Sequence, residues 1–270
     1  MGFIDYTHFF CNVSELRPVF RAKQPIMMTA FLMKKHLPLL LASLFFATSI
    51  TAQSWWRSVR GDGNVVKKDL DLANFEAFTL AFNGDVYVTQ GNQQAVSVEM
   101  EENLFDYLET DVRNGKWRIK FDRNVRNRRP IKVFITIPTL RECYVSGSGS
   151  VVSENTFRNL ADLNIGVSGS GDIRFAAEAN AVDVSVSGSG DIVLEGKADE
   201  IAIAVSGSGD IQAHDMMTVN GRVRISGSGD VTIHATDDLE VRISGSGDVA
   251  YKGRPRLSAK SSGSGDVTAM

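Results

Sequence analysis

The pentapeptide Ser-Gly-Ser-Gly-Asp constrains this chain more than any other feature. It stands at Ser168–Asp172, Ser187–Asp191, Ser206–Asp210, Ser226–Asp230, Ser244–Asp248 and Ser262–Asp266, after a degenerate first copy, SGSGS, at Ser146–Ser150. The leading serines are 22, 19, 19, 20, 18 and 18 residues apart. A repeat of this length with no helical period marks a solenoid, in which each repeat is one coil. The L-x-x-L-x-L pattern of leucine-rich repeats is missing.

Aligned on the motif, the coils fall into columns. Ile173, Ile192, Ile211, Val231, Val249 and Val267 follow the motif, and Phe175, Leu194, Ala213, Ile233 and Tyr251 come two later. Val145, Val167, Val186, Val205, Ile225 and Ile243 precede it. Two earlier are Cys143, Ile165, Val184, Ile203, Val223 and Val241. Two earlier again are Leu163, Val182, Ile201, Leu239 and Leu257, with Gly221 as the exception. The columns between are mostly polar. Period-2 alternation describes half-buried strands. Turns are expected at Gly196–Asp199 and Thr236–Asp238. Like columns stacked about 4.8 Å apart form parallel sheets and aliphatic ladders. The expected fold class is all-β: a single-stranded parallel β-helix, or β-solenoid, right-handed as parallel crossovers are, with strand-rich N-terminal coils.

The motif has an architectural reading and a chemical one. Glycines permit a tight corner, a positive φ and close approach of successive backbones. Stacked serines can bond each other or turn amides, and an Asp can accept from the N–H two residues on. The chemical rival is calcium, held by a ladder of Asp172, Asp191, Asp210, Asp230, Asp248 and Asp266. The calcium-binding nonapeptide solenoids use G-G-x-G-x-D, and that spacing is not present. Repulsion between neighbouring aspartates is only about 1 kcal/mol in water, so no ion is required. The expectation is therefore architecture, with no metal and no cofactor, and a calcium-stabilised solenoid is the alternative.

The N-terminal third reads differently. "MKKHLPLLLASLFFATSITAQ" from Met33 has a basic start, an apolar run from Leu37 to Ile50, and small residues before Gln53, as a secretory signal peptide does. The run is too short to span a membrane comfortably, so no stable span is expected after cleavage. No cysteine ends it, which argues against a lipoprotein anchor. The expected organisation is an over-called extension at 1–32, a signal peptide at 33–52, a flexible lead-in at 53–64, and a solenoid at 65–270. Within the solenoid, 65–140 forms irregular coils and 141–270 the repeat coils. "NFEAFTLAFNGDVYVTQG" carries its own Gly-Asp-Val and reads as a first coil, interrupted by a hairpin at Asn114-Gly115. Cys143 would be the one cysteine of the mature chain, in an inward column, and its thiol is expected to be buried and inert.

Chemistry-bearing residues are sparse. His214 and His234 align in an outward column with Glu195, a weak candidate for a metal site. Another outward column reads Tyr144, Gly166, Ser185, Ala204, Arg224, Arg242, Lys260. With Arg222 it makes a basic strip (Arg222, Arg224, Arg242, Lys260) able to hold an anionic ligand. A second basic cluster is Arg123, Arg126, Arg128 and Arg129. The net charge of −3 implies no nucleic-acid partner. A polysaccharide-acting β-helix enzyme would need distinct converging carboxylates, and the uniform Asp column offers none. The chain is expected not to be an enzyme.

The segments "FEAFTLAFNGDVYVTQG", "VEMEENLFDYLETDVRNGKWRIKF" and "IKVFITIPTLRECYVSGSGSV", followed by SGSGD coils, resemble the auto-transporter adhesin head GIN domain family. The resemblance covers about Val65 to Met270. It implies a bacterial, exported, adhesin-like β-helix that presents a binding or scaffolding surface at the cell envelope, in the periplasm or at the outer surface. A glycan or another envelope component would be its partner. The family offers no catalytic residues to carry over.

Overall fold

The computed structural model describes residues 58–270. The expected extension at 1–32, signal peptide at 33–52 and first residues of the lead-in lie outside them.

The repeat columns form as parallel ladders. Cys143, Ile165, Val184, Ile203, Val223 and Val241 are successive register partners. All are buried, as are the columns on either side of the motif except at the final coil. Buried and outward residues alternate along the segment that leads into each motif, as in Glu200–Ser206, and the phase slips at the corner around Gly196–Asp199. Gly221 fills its inward place because Ile233 and Leu239 lean into the space a side chain would take. The core is thus a stack of apolar layers from Phe75 to Val249, aliphatic in the repeat coils and with Trp117, Phe78, Phe157 and Phe175 among its largest members.

The expected turns fall inside long strands and break the ladders locally. Ile192–Gly207 and Val231–Gly245 run through Gly196–Asp199 and Thr236–Asp238, yet Asp199 has no register partner in either neighbouring coil, and pairing skips Thr236 and Asp237. Gly196, at φ +121°, bends the chain where a side chain would overlap the carbonyl oxygen of Ala177 below.

The N-terminal portion departs from a simple stack. Ala77–Leu80 and Asp85–Gln90 lie against Glu142–Gly147 and Ser150–Ser153, with Phe78 beside Cys143 and Val86 beside Val151. This is the expected first coil. Asn114 and Gly115, at φ 54° and 70°, turn Val112–Arg113 back onto Lys116–Ile119, the positive-φ pair that a two-residue hairpin requires. Lys116–Ile119 and Lys132–Ile137 then pair in parallel with the other side of the first coil, Trp117 beside Phe78 and Val133 beside Val86. The coil that comes second in sequence is therefore the terminal one in space. Beyond it the order closes with antiparallel strands, Ala95–Glu101 and then Val65–Leu70.

The lead-in at 58–64, expected to be flexible, is tied down. Val59–Arg60 pairs with Val125–Arg126, and Gly63 N–H donates to Glu101 at 2.8 Å. At the opposite end, Arg256–Gly263 is exposed throughout and pairs on one side, with the strand Val231–Gly245. No helix among the described residues is long and apolar enough to cross a membrane.

Candidate functional site

The motif corner is built by backbone contact. Its first glycine has positive φ in every copy, from 135° at Gly188 to 155° at Gly147. A Cβ on Gly188 would also overlap the carbonyl oxygen of Gly169 one coil below. The second glycine, as at Gly209, needs no positive φ. Its constraint is proximity alone, because a Cβ would overlap Gly190 O and stand 2.8 Å from a Val186 methyl. The third residue donates its N–H down one coil, as Ser208 does to Gly188 at 2.8 Å.

The aspartates work between coils rather than two residues on. Asp210 N–H donates to Asp191 Oδ1 at 2.9 Å, Asp230 N–H to Asp210 at 2.8 Å, Asp248 N–H to Asp230 at 2.8 Å and Asp266 N–H to Asp248 at 2.8 Å. Asp191 N–H reaches Asp172 at a longer 3.3 Å. The Asp ladder is a row of backbone N–H groups capped by the carboxylates below. Among the described residues the motif serines do not bond one another; Ser150, in the degenerate copy, donates to Asp85 at 2.7 Å. No group of three or more His, Cys, Asp or Glu side chains among the described residues could hold a metal ion together.

The expected column Glu195–His214–His234 does not form. Ala213 pairs with Ile233, but Met217 pairs with His234, so His214, Asp215 and Met216 stand in a bulge. Glu195 faces Asp215 instead of His214. The cause is coil length: this coil is the longer one of its neighbourhood, and the excess is absorbed where Met216 turns inward and is buried. His214 Nδ1 lies 3.0 Å from Thr232 Oγ1, and Nε2 lies 3.3 Å from Asp215. Partial burial and then Lys252 push His234 below the usual imidazole range, against the opposing pull of Asp215.

The basic strip forms in register but is partly neutralised. Tyr144, Gly166, Ser185, Ala204, Arg224, Arg242 and Lys260 are successive partners. Glu240 accepts from Arg222 at 3.2 Å and pairs with Arg242 at 2.6 Å. The Arg222 hydrogen bond, with the Arg242 charge, holds Glu240 below the ordinary carboxylate range. Arg224 and Lys260 take part in none of the ion pairs of the described residues.

Arg224 instead closes one end of a trough on the outer face of the sheet that precedes the motif. The hollow measures 460 Å³ and is lined by Tyr144, Asn164, Asp183, Ser185, Ala202, Ala204, Arg222 and Arg224, among others. Small residues form its floor, and Tyr144 stands at the far end. A second hollow of 460 Å³ adjoins it, with Asp183, Glu200, Asp238 and Glu240 in its wall. The trough was legible in the sequence as the run Gly166, Ser185, Ala204 between two large residues, but that column reads first as charge.

Cys143 is fully buried, and burial together with Glu142 pushes its thiol far above the usual range.

Fold and surface define a class: a β-solenoid with a packed interior and an open, polar flank. The chain belongs to the family described as "Putative auto-transporter adhesin, head GIN domain", which matches residues 74–255. Among solved structures it is similar to a "putative adhesin" from Bacteroides fragilis NCTC 9343, at 25% identity and TM-score 0.72, covering 79% of this chain and 100% of that one. It is also similar to a "putative lipid binding protein" from Parabacteroides distasonis ATCC 8503, at 25% identity and TM-score 0.68 with the same coverage. A "putative adhesin" from Parabacteroides merdae ATCC 43184, at 22% identity and TM-score 0.64, shares the fold. No curated protein matches.

Proposed function

We propose that this is an exported, non-enzymatic, adhesin-like protein that uses the flank of its solenoid to bind a linear, anionic glycan of the cell envelope. The observation that carries the reading is the trough between Tyr144 and Arg224. The two residues are four coils apart, about 19 Å along the axis. A sugar unit is about as long as one coil is high, so a short oligosaccharide lying across the strands meets one row of side chains per unit. Tyr144 offers a ring face to C–H groups, Asn164, Asp183 and Ser185 offer hydrogen bonds to hydroxyls, and Arg224 offers a fork to a carboxylate or sulfate.

Enclosure of a lipid's acyl chain, one way to read the description of a structural relative, fits this chain less well. The inward columns are packed to near-zero exposure, and the trough is open and lined by polar groups as well as small ones. An acyl chain would find no enclosed apolar site there. Glycoside hydrolysis is also disfavoured. Glu142 is ion-paired with Lys116, which leaves Asp183 as the trough's uncommitted carboxylate, where the reaction needs two.

The test is a glycan-array screen of residues 53–270, with calcium and with chelator. Wild type is expected to bind acidic linear glycans equally in both, and Arg224→Glu and Tyr144→Ala to lose the signal. Absence of any glycan binding overturns the reading; binding that depends on calcium moves it to the aspartate ladder.

A further inference from the structure

In the coils that carry the full motif, the corner is a tight glycine turn. In the terminal coil at the N-terminal pole it is not. Ile119 pairs with Leu80 and Lys132 with Asp85, so residues 120–131 occupy the place where the next coil turns within Ala81–Gly84. This enlarged corner carries Arg123, Arg126, Arg128 and Arg129. The lead-in adds a fifth arginine, because Val59–Arg60 pairs in parallel with Val125–Arg126 and sets Arg60 directly beside Arg126.

Like charges at facing register positions are unfavourable, and here they are not relieved. Arg123 pairs with Asp122 and lies over the Tyr107 ring at 4.6 Å. Arg60, Arg126, Arg128 and Arg129 are exposed and join none of the ion pairs of the described residues. Glu101 lies beneath them, fully buried, but its oxygens accept backbone N–H groups: Gly63 at 2.8 Å, Arg128 at 2.7 Å and Arg129 at 3.4 Å. It fixes the backbones of both segments and leaves the four guanidinium heads in solvent. These arginines line neither of the two hollows on the flank.

We infer that the arginine corner is a docking site for the anionic phospholipid headgroups of a membrane surface. Guanidinium forks match phosphate bidentately. An exposed cluster of guanidinium heads fits a surface that offers many phosphates at once, rather than one small anion held on several sides. The chain as a whole carries −3, so attraction to an anionic surface comes from a local cluster such as this one and not from net charge.

Residues 57–270 form a compact unit by themselves, so residues 53–270 serve for the test. The chain is sedimented with vesicles of pure phosphatidylcholine and with equimolar phosphatidylcholine and phosphatidylglycerol. Binding is expected to the anionic vesicles alone and to weaken with salt. Each arginine near the surface is worth roughly fivefold, so Arg60→Gln with Arg126→Gln is expected to weaken binding by about thirtyfold. Arg128→Gln with Arg129→Gln, which keeps the backbone bonds to Glu101, is expected to do the same. Arg224→Gln should leave vesicle binding unchanged, and excess inorganic phosphate should compete poorly. Equal binding to neutral vesicles, no binding to anionic ones, or unaltered binding by both double variants overturns the inference. Full competition by free phosphate would make the site one for a soluble phosphate, and capture of a soluble acidic glycan without vesicle binding would make it a glycan site; either result overturns the membrane assignment.

Discussion

The corner at Gly207–Asp210 and the corner at 120–131 hold the same place in their coils and are built in opposite ways. The first is stacked between neighbours above and below. A side chain on either of its glycines would overlap the coil beneath, so the corner is reduced to backbone and its one functional side chain, Asp210, is used to cap the next coil. The second is bounded by a coil on one side only. Freed from that contact it lengthens, takes in arginines, and recruits a strand from the lead-in. Repetition in this protein is the mark of enforced contact; irregularity marks the place where contact ends.

Gly209→Val challenges that comparison most severely. It adds bulk where backbones touch at an ordinary φ, and is expected to cost about 3 kcal/mol or more, read as a large fall in Tm. Glu101→Ala should rank next. It strips the irregular corner of its anchor and removes the acceptor of three part-buried N–H groups, for about 2 kcal/mol, and proteolysis should then enter near 58–64 or 120–131. If instead Glu101→Ala is silent, the arginine corner holds itself and the contrast weakens. Gly115→Ala, at φ +70° but with open space around it, is expected to cost only about 1 kcal/mol. A cost equal to that of Gly209→Val would mean that conformation, not crowding, selects glycine in this fold. Asp210→Asn should be nearly neutral, since Asn keeps the oxygen that Asp230 N–H requires, while Asp210→Ala should lose about 1 kcal/mol. Tm in chelator is expected to be unchanged; a large drop restored by calcium would make the ladder a cation site. Cys143, finally, should resist thiol reagents until the protein unfolds, with no effect on Tm from exposure to them.

The inward columns could be read from the sequence because each is anchored to the motif within a few residues, and the strand period of two then fixes which side chains face in. That logic weakens with distance from the anchor. The Glu195–His214–His234 column lies beyond a point where coil lengths differ, and alignment by counting placed His214 in a ladder that the structure gives to Met217. The trough was present as a column of small residues, yet its depth depends on Tyr144 and Arg224 being four coils apart in space, which only the stacking reveals. The pairing of Arg60 with Arg126 had no local signal: a two-residue strand meets another across more than sixty positions of chain, and neither carries a pattern.

The placement of the first coil has a consequence in time. Ala77–Leu80 is bordered by Lys116–Ile119 on one side and Glu142–Gly147 on the other, so both of its edges are satisfied only after the chain has doubled back and then reversed. Until about residue 153 is available, no finished layer exists to template another. From there, apart from the bonds that tie Asn155 and Arg158 back to Gln90, each coil pairs only with the one before it and the one after it in sequence. Such a molecule should assemble with one slow step of high contact order followed by rapid sequential addition. A cut within 91–140 should therefore abolish folding altogether, while loss of coils from the Arg256–Gly263 end should shorten the rod and leave the remainder standing.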